Sequence, residues 1–341
     1  MEFFLILISP IFVSLSSLSV IYTIRFFDVV EKEPWKPIII AFLFGIASAF
    51  FTIFFLSIFP TLSLILYSVF EFSDTTYNNL GAIIEAPFFE EIFKFLALIL
   101  VYKICKKDFH TLTDFIIYSC IVGAGFEFLE NLLYLISSVF ETDFMLAWSS
   151  QLVSRVIASG YMHSLFTCWS GLGLWILVKS NSTKIKAIFF IFISIGLHFV
   201  NNFAAVISGY SFLGSFLYEV ARSISLAGFL ALIGFSLIRD FNLVNEFVFK
   251  IIEINSLNES EVDSLKKLAQ PVDNLFARSM WSWRISNRRK NTTIPRESYV
   301  LFSKFALSFS DEYAGKDTNK KKVYLDKAVN LLTTISYQNI N

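Results

Sequence analysis

Charge is what this chain has least of. Of its 341 residues only 16% are Asp, Glu, Lys or Arg, against about 25% in soluble domains. Neither sign is in excess, with 28 Lys and Arg against 28 Asp and Glu. Global charge therefore points to no polyanionic partner, and nucleic acid is not an expected one. Cysteine is scarce too. Cys105, Cys120 and Cys168 lie in or beside apolar segments and form no CxxC pair, so no disulfide framework is expected. The histidines are three, His110, His163 and His198, and no HExxH stands in the sequence, which removes the usual helical zincin signature. The first apolar run lacks a basic region before it and a small-residue cleavage site after it, so it reads as a retained helix rather than a signal peptide. No internal repeat or low-complexity tract is present.

What the chain has in abundance is apolar length. It is 55% hydrophobic, with a mean hydropathy of +0.62. Seven runs reach or approach the roughly 20 residues that cross a bilayer: about 3–24, 37–59, 80–102, 114–137, 148–178, 185–207 and 212–238. The runs are continuously apolar rather than alternating, which argues for helices over a β-barrel. The expected fold class is an all-α polytopic membrane bundle of about seven helices. Lys and Arg occur in every second loop: Arg25, Lys32 and Lys36, then Lys103, Lys106 and Lys107, then Lys179, Lys184 and Lys186. The loops 60–79, 138–147 and 208–211 contain neither. The positive-inside rule then puts the N-terminus outside and the C-terminus in the cytoplasm, most simply of a bacterial inner membrane. Trp35, Trp148 and Trp175 fall near span ends, as interfacial anchors do. From Arg239 onward charge rises and no run is long enough to span, so the division is a membrane domain 1–238 and a small cytosolic helical tail 239–341. Helical spacing recurs at 241–254 and 323–335. In the tail, Arg288, Arg289 and Lys290 near Trp281 and Trp283 read either as a solvated loop or as a contact for anionic headgroups.

Against this background a few polar residues stand out, because a charge at the bilayer centre costs about 2.5–3.5 kcal/mol or more. The third run holds Glu90, Glu91 and Lys94. Their i,i+4 and i,i+3 spacings put both carboxylates within reach of the lysine. One ammonium neutralises one carboxylate; the other is left as a candidate general base, unless the group is only an internal salt bridge. Pro87, one turn earlier, frees a carbonyl, and Glu85 reads as interfacial. The fourth run adds Glu127, Glu130 and Asn131 on one face, with Gly123 and Gly125 permitting close helix approach. The fifth holds Arg155 and His163, eight residues apart on one face, amid Ser159, Ser164 and Thr167. The sixth holds His198 with Asn201 and Asn202 at i+3 and i+4, where an amide can fix the histidine tautomer. The seventh holds Glu219 and Arg222, spaced to neutralise each other. Counted inward from the outer ends, Glu90, Glu130, His198 and His163 lie roughly 10–23 Å deep at 1.5 Å per residue. Four antiparallel helices thus bring polar groups to one layer. Three chemistries fit: metal-free hydrolysis by a water that a carboxylate activates, hydrolysis with zinc held by Glu91, Glu130, His163 or His198, and ion or proton transport through a carboxylate–histidine relay.

The ordered set Glu90-Glu91-x-x-Lys94, Phe126-x-x-x-Glu130-Asn131, Arg155…His163-Ser164-x-Phe166-Thr167 and His198-x-x-x-Asn202 resembles the PrsW family of intramembrane proteases, within the CAAX-protease and abortive-infection superfamily. The loop Asp28-x-x-x-Lys32-Glu33-Pro34-Trp35 resembles that family's acidic, proline-containing segment. The likeness covers about residues 1–238. Glu127 departs from it, standing where the family usually has a small residue, and the tail has no counterpart. The resemblance implies an endopeptidase that cuts a membrane-anchored protein, such as an anti-sigma factor, on the extracytoplasmic side. Glu90 or Glu91 would activate water, with Glu130 as a second acid, base or ligand. His163 and His198 would orient water, bind metal or stabilise the oxyanion, and Asn202 would support His198 or donate to the oxyanion. Lys94, Arg155, Asn131 and Glu127 would support them. The alternatives are a transporter or sensor and a non-catalytic immunity-type relative.

Overall fold

With no water in a hydrocarbon layer, each backbone N–H and C=O must be paired inside the chain, and this chain meets that demand with helices. The computed structural model describes residues 1–28, 33–59, 62–70, 73–179 and 184–254; among them there is no strand. The helices are α1 (Glu2–Phe27), α2 (Trp35–Ile58), α3 (Leu62–Phe70), α4 (Asp74–Leu80), α5 (Ala86–Ile104), α6 (Leu112–Ser138), α7 (Phe144–Gln151), α8 (Met162–Lys179), α9 (Lys184–Ser208) and α10 (Phe212–Ile254). Two π-helical turns interrupt them, Gly81–Glu85 before α5 and Leu152–Ile157 after α7. Six stretches of the described residues are long and apolar enough to span a membrane. The expected third span, now the π turn plus α5, is not among them, because Glu90, Glu91 and Lys94 interrupt its apolar character. The chain is an all-α, multi-pass membrane protein.

The chain divides into two compact units. The first is Met1–Phe26, Pro34–Phe109 and Asp114–Ala231; the second is Phe27–Glu33, His110–Thr113 and everything from Leu232. In the first unit α6 is the axis. Its most apolar window is 94% buried, as expected of a helix that is hydrophobic on all sides. The glycines allow the approach: a Cβ on Gly125 would strike the Phe42 carbonyl, and one on Gly45 that of Val122, so the backbones of α2 and α6 touch. A Cβ on Gly123 would strike the backbone of His163, which sets α6 equally close to the start of α8. α1 packs on α7 and the π turn after it through Leu5, Val13, Trp148 and Val156, and the Trp148 indole donates to Ser9 Oγ (2.9 Å).

α9 is the reverse of a soluble amphipathic helix. Ser194, His198 and Asn201 are buried, while Phe189, Phe192, Phe199 and Phe203 face outward. That pattern is stable only if the outside is hydrocarbon and the inside polar.

The fifth expected span is not one helix. α7 runs into the π turn and the chain breaks at Ala158–Tyr161 before α8 begins. Glu85, read as interfacial, has its carboxylate turned into the protein. It is buried and accepts from both the backbone N–H (2.6 Å) and the hydroxyl (2.8 Å) of Ser63, at the first turn of α3. In the second unit, Asp240 of α10 accepts from the hydroxyls of Thr111 (3.1 Å) and Thr113, and Asp28 accepts the N–H of Glu33 (2.5 Å). The helical spacing read at 241–254 is covered by α10; the stretch 323–335 and the Trp281–Lys290 cluster lie outside the described residues.

Gly125→Val drives methyl groups into the Phe42 carbonyl, and overpacking of this kind costs about 1–3 kcal/mol or more. Thermal unfolding in detergent should show a Tm several degrees lower; an unchanged Tm would mean that α2 and α6 are not in backbone contact.

Candidate active site

The polar residues of α5, α6, α8 and α9 meet around the Lys94 ammonium, which is fully buried. Its Nζ lies 2.7 Å from Glu91 Oε1, 3.4 Å from Glu90 Oε2 and 2.6 Å from His163 Nδ1. The Phe126 ring lies beneath it at 3.9 Å, a cation–π contact. An ammonium only donates. His163 Nδ1 must therefore accept, and the ring proton sits on Nε2, which faces Glu130 Oε2 at 2.8 Å. Glu130 is held in turn by Arg155 (2.9 Å). Arg155 also donates to Asn131 Oδ1 (3.4 Å) and stacks over Tyr134 (3.7 Å).

Glu91 is saturated. Lys94 and His198 Nδ1 (3.2 Å) contact Oε1, and the hydroxyls of Thr167 (3.0 Å) and Ser194 (2.7 Å) donate to Oε2. A carboxylate that accepts from Nδ1 puts the proton there, so the bare nitrogen of His198 is Nε2. It points toward Glu90 Oε2 at 3.8 Å, the same distance as His163 Nδ1. Glu90 is the least committed carboxylate, with only the long bond to Lys94. Glu90 Oε2 thus faces one nitrogen of each ring at 3.8 Å, His198 Nε2, which is bare, and His163 Nδ1, which now accepts from Lys94; one ligand atom from each of the three residues lies within 4.8 Å of the other two. One carboxylate and two imidazoles are a known catalytic zinc set, and an acid on each outer ring nitrogen is the usual second support of such ligands. The residues fit a divalent cation.

Glu90, Glu91, Lys94, Glu127, Glu130, Asn131, Arg155, His163 and His198 form one network. Glu127 enters it by accepting the backbone N–H of His163 (3.2 Å). Asn202 does not touch His198: its amide donates to Ala82 O (2.9 Å) in the π turn before α5 and accepts from Asn201 (3.3 Å). The tautomer that an amide was expected to fix is fixed by Glu91. Ser194 was not singled out from the sequence, although it lies one turn before His198 on the same face, a spacing that signals it. Glu219 and Arg222 do pair (2.9 Å), away from this network.

Residues 33–233 match the family described as PrsW family intramembrane metalloprotease. The chain belongs to that family. The match covers more than half of the sequence and spans all four motifs, and it supports an intramembrane peptidase. No curated protein and no solved structure matches it.

Ser194→Ala leaves the buried Glu91 one donor short. A hydrogen bond to a charged group is worth about 1.5–3 kcal/mol, so a lower Tm in detergent is expected. Thr167→Val should act in the same direction, and wild-type Tm in both would remove Glu91 from its assigned place.

Proposed function

We propose that this protein is a metal-dependent intramembrane endopeptidase whose ion is held by Glu90, His163 and His198. The observation that supports this most is the convergence of three lone pairs whose outer partners, Glu130 and Glu91, set opposite tautomers on the two histidines. Such an ion would lower the pKa of a bound water and polarise the scissile carbonyl.

The protein's own residues do the rest. Of the three carboxylates that touch the histidine rings, Glu90 alone has an oxygen, Oε1, without a hydrogen-bond partner among the described residues, and it takes the proton of the attacking water. Glu91 holds His198, and Glu130 holds His163. Lys94 is the fixed positive charge nearest the attack point, where charge develops on the carbonyl oxygen. Its ammonium and a metal ion compete for Glu90 and His163, whereas its bond to Glu91 does not involve the ion's ligands. Glu130 and Arg155 have side chains 20% and 32% exposed, which makes their side of the network the more open one for a substrate backbone.

The substrate is a membrane-anchored protein, cut in the outer half of the bilayer of a bacterial inner membrane; an anti-sigma factor is the substrate class that the family resemblance suggests. The N-terminus is outside and the C-terminus cytoplasmic.

Metal analysis of the purified protein tests this. About one zinc per chain is expected, lost in Glu90→Ala and His198→Ala while Asn202→Ala keeps it. Cleavage of a tagged membrane substrate in cells should stop with Glu90→Gln. Metal bound equally by all variants, or full cleavage by Glu90→Gln, rejects the assignment.

A further inference from the structure

The fifth membrane segment is interrupted at Ala158–Tyr161, directly before the helix that carries His163. A break inside a membrane leaves helix-end carbonyls and N–H groups without partners. On the carbonyl side the chain supplies them from other helices: Ser16 Oγ donates to Val156 O (2.7 Å), and Arg222 donates to Ala158 O. On the N–H side, Tyr161 is the residue whose carbonyl accepts the first bond of α8, from Leu165 (3.3 Å), so it occupies the N-cap position. A tyrosine there cannot reach back to the first-turn N–H groups as Ser, Thr, Asp or Asn would. His163 is the second residue of the helix, and its N–H is one of the orphans. Glu127 of α6, buried, accepts it at 3.2 Å. Gly123, one turn earlier on α6, lets the two backbones come close enough for this.

The geometry points to Glu127 as a positioning residue: a helix cap supplied from a neighbouring helix, which fixes the backbone of His163 and so the direction of its ring between Lys94 and Glu130. It touches no reacting group in this assignment. A carboxylate at a helix N-terminus also meets the positive end of the helix dipole. The lack of a local cap at Tyr161 explains why this chain has a glutamate where its family resemblance leads one to expect a small residue.

The inference rests on the hydrolase assignment above, and Glu90→Gln is run beside it as the control. The assay follows kcat and KM with the purified full-length protein in liposomes, cutting a tagged single-span reporter that the wild type cuts. Glu127→Ala should lower kcat roughly tenfold or more, the scale of one lost buried hydrogen bond, with KM little changed. Glu127→Gln keeps an acceptor oxygen and should retain activity within about threefold of wild type. Tyr161→Ser, which places a local cap on the same N–H, should recover most of the loss when added to Glu127→Ala. Wild-type kcat in Glu127→Ala overturns the inference, and so does equal loss in Glu127→Gln and Glu127→Ala, which would make the charge rather than the acceptor the active feature. If Glu127→Ala does not fold, the double variant decides: folding and cleavage restored by Tyr161→Ser support the cap, and failure to restore them overturns it. An active Glu90→Gln would instead reject Glu90 as the proton acceptor of the proposed function, while the Glu127 and Tyr161 variants would still decide the cap.

Discussion

A lysine ammonium sealed from water organises this protein. Removing one partner from a buried ion pair typically costs about 3–5 kcal/mol, because the other charge is left uncompensated. Lys94 therefore cannot stand in the bundle unless acceptors surround it, and they come from two helices: Glu90 and Glu91 from its own, His163 from α8, with the Phe126 ring of α6 below. Each acceptor imposes a demand of its own. His163, accepting on Nδ1, must give its proton to Glu130. Glu91, with one oxygen on Lys94, takes His198, Thr167 and Ser194. The chain of demands ends at Glu90, which is left with a single long bond and faces two ring nitrogens, His163 Nδ1, already accepting from Lys94, and the bare His198 Nε2. Reactivity sits where the satisfaction of polar groups runs out.

The second constraint is the backbone. Two π-helical turns lie beside the site, one before α5 and one in the fifth segment, and π turns are frequent at functional sites. Each is tied down by a side chain from elsewhere. Asn202 takes the Ala82 carbonyl in the first, and Ser16 takes the Val156 carbonyl in the second. The Glu219–Arg222 pair belongs to the same system, since Arg222 also reaches the Ala158 carbonyl. Residues that look like surplus polarity in a membrane are thus the partners of carbonyls that irregular backbone has released.

Much of this is legible in the sequence. Apolar length and the period of Glu90, Glu91 and Lys94 locate the helices and their shared face, because membrane helices obey few rules and obey them closely. The meeting of α5, α6, α8 and α9 follows from depth counting. What could not be read is which acid meets which base. Glu90 and Glu91 differ by one residue, about 100° around a helix, and only the packing of Ser194 and Thr167 shows that Glu91 is the one used up. The break before α8 is hidden too: Ala158, Ser159 and Gly160 sit in an apolar run with no proline, and the partners that stabilise the break lie 36, 64 and 140 residues away in sequence, at Glu127, Arg222 and Ser16. The partner of Asn202 is not legible either, because i+4 spacing brings an amide near a histidine without deciding that it prefers it to the Ala82 carbonyl.

The opposite tautomers of His163 and His198 are the most direct consequence of this arrangement, and the chain has only three histidines to resolve. Nitrogen NMR of the histidine-labelled, metal-free protein in lipid reads them, with His163→Gln assigning the signals. His163 should be neutral with its proton on Nε2, and His198 neutral with its proton on Nδ1. The same tautomer on both rings, or a charged ring on either at neutral pH, would contradict a Lys94-centred network and the converging lone pairs that depend on it.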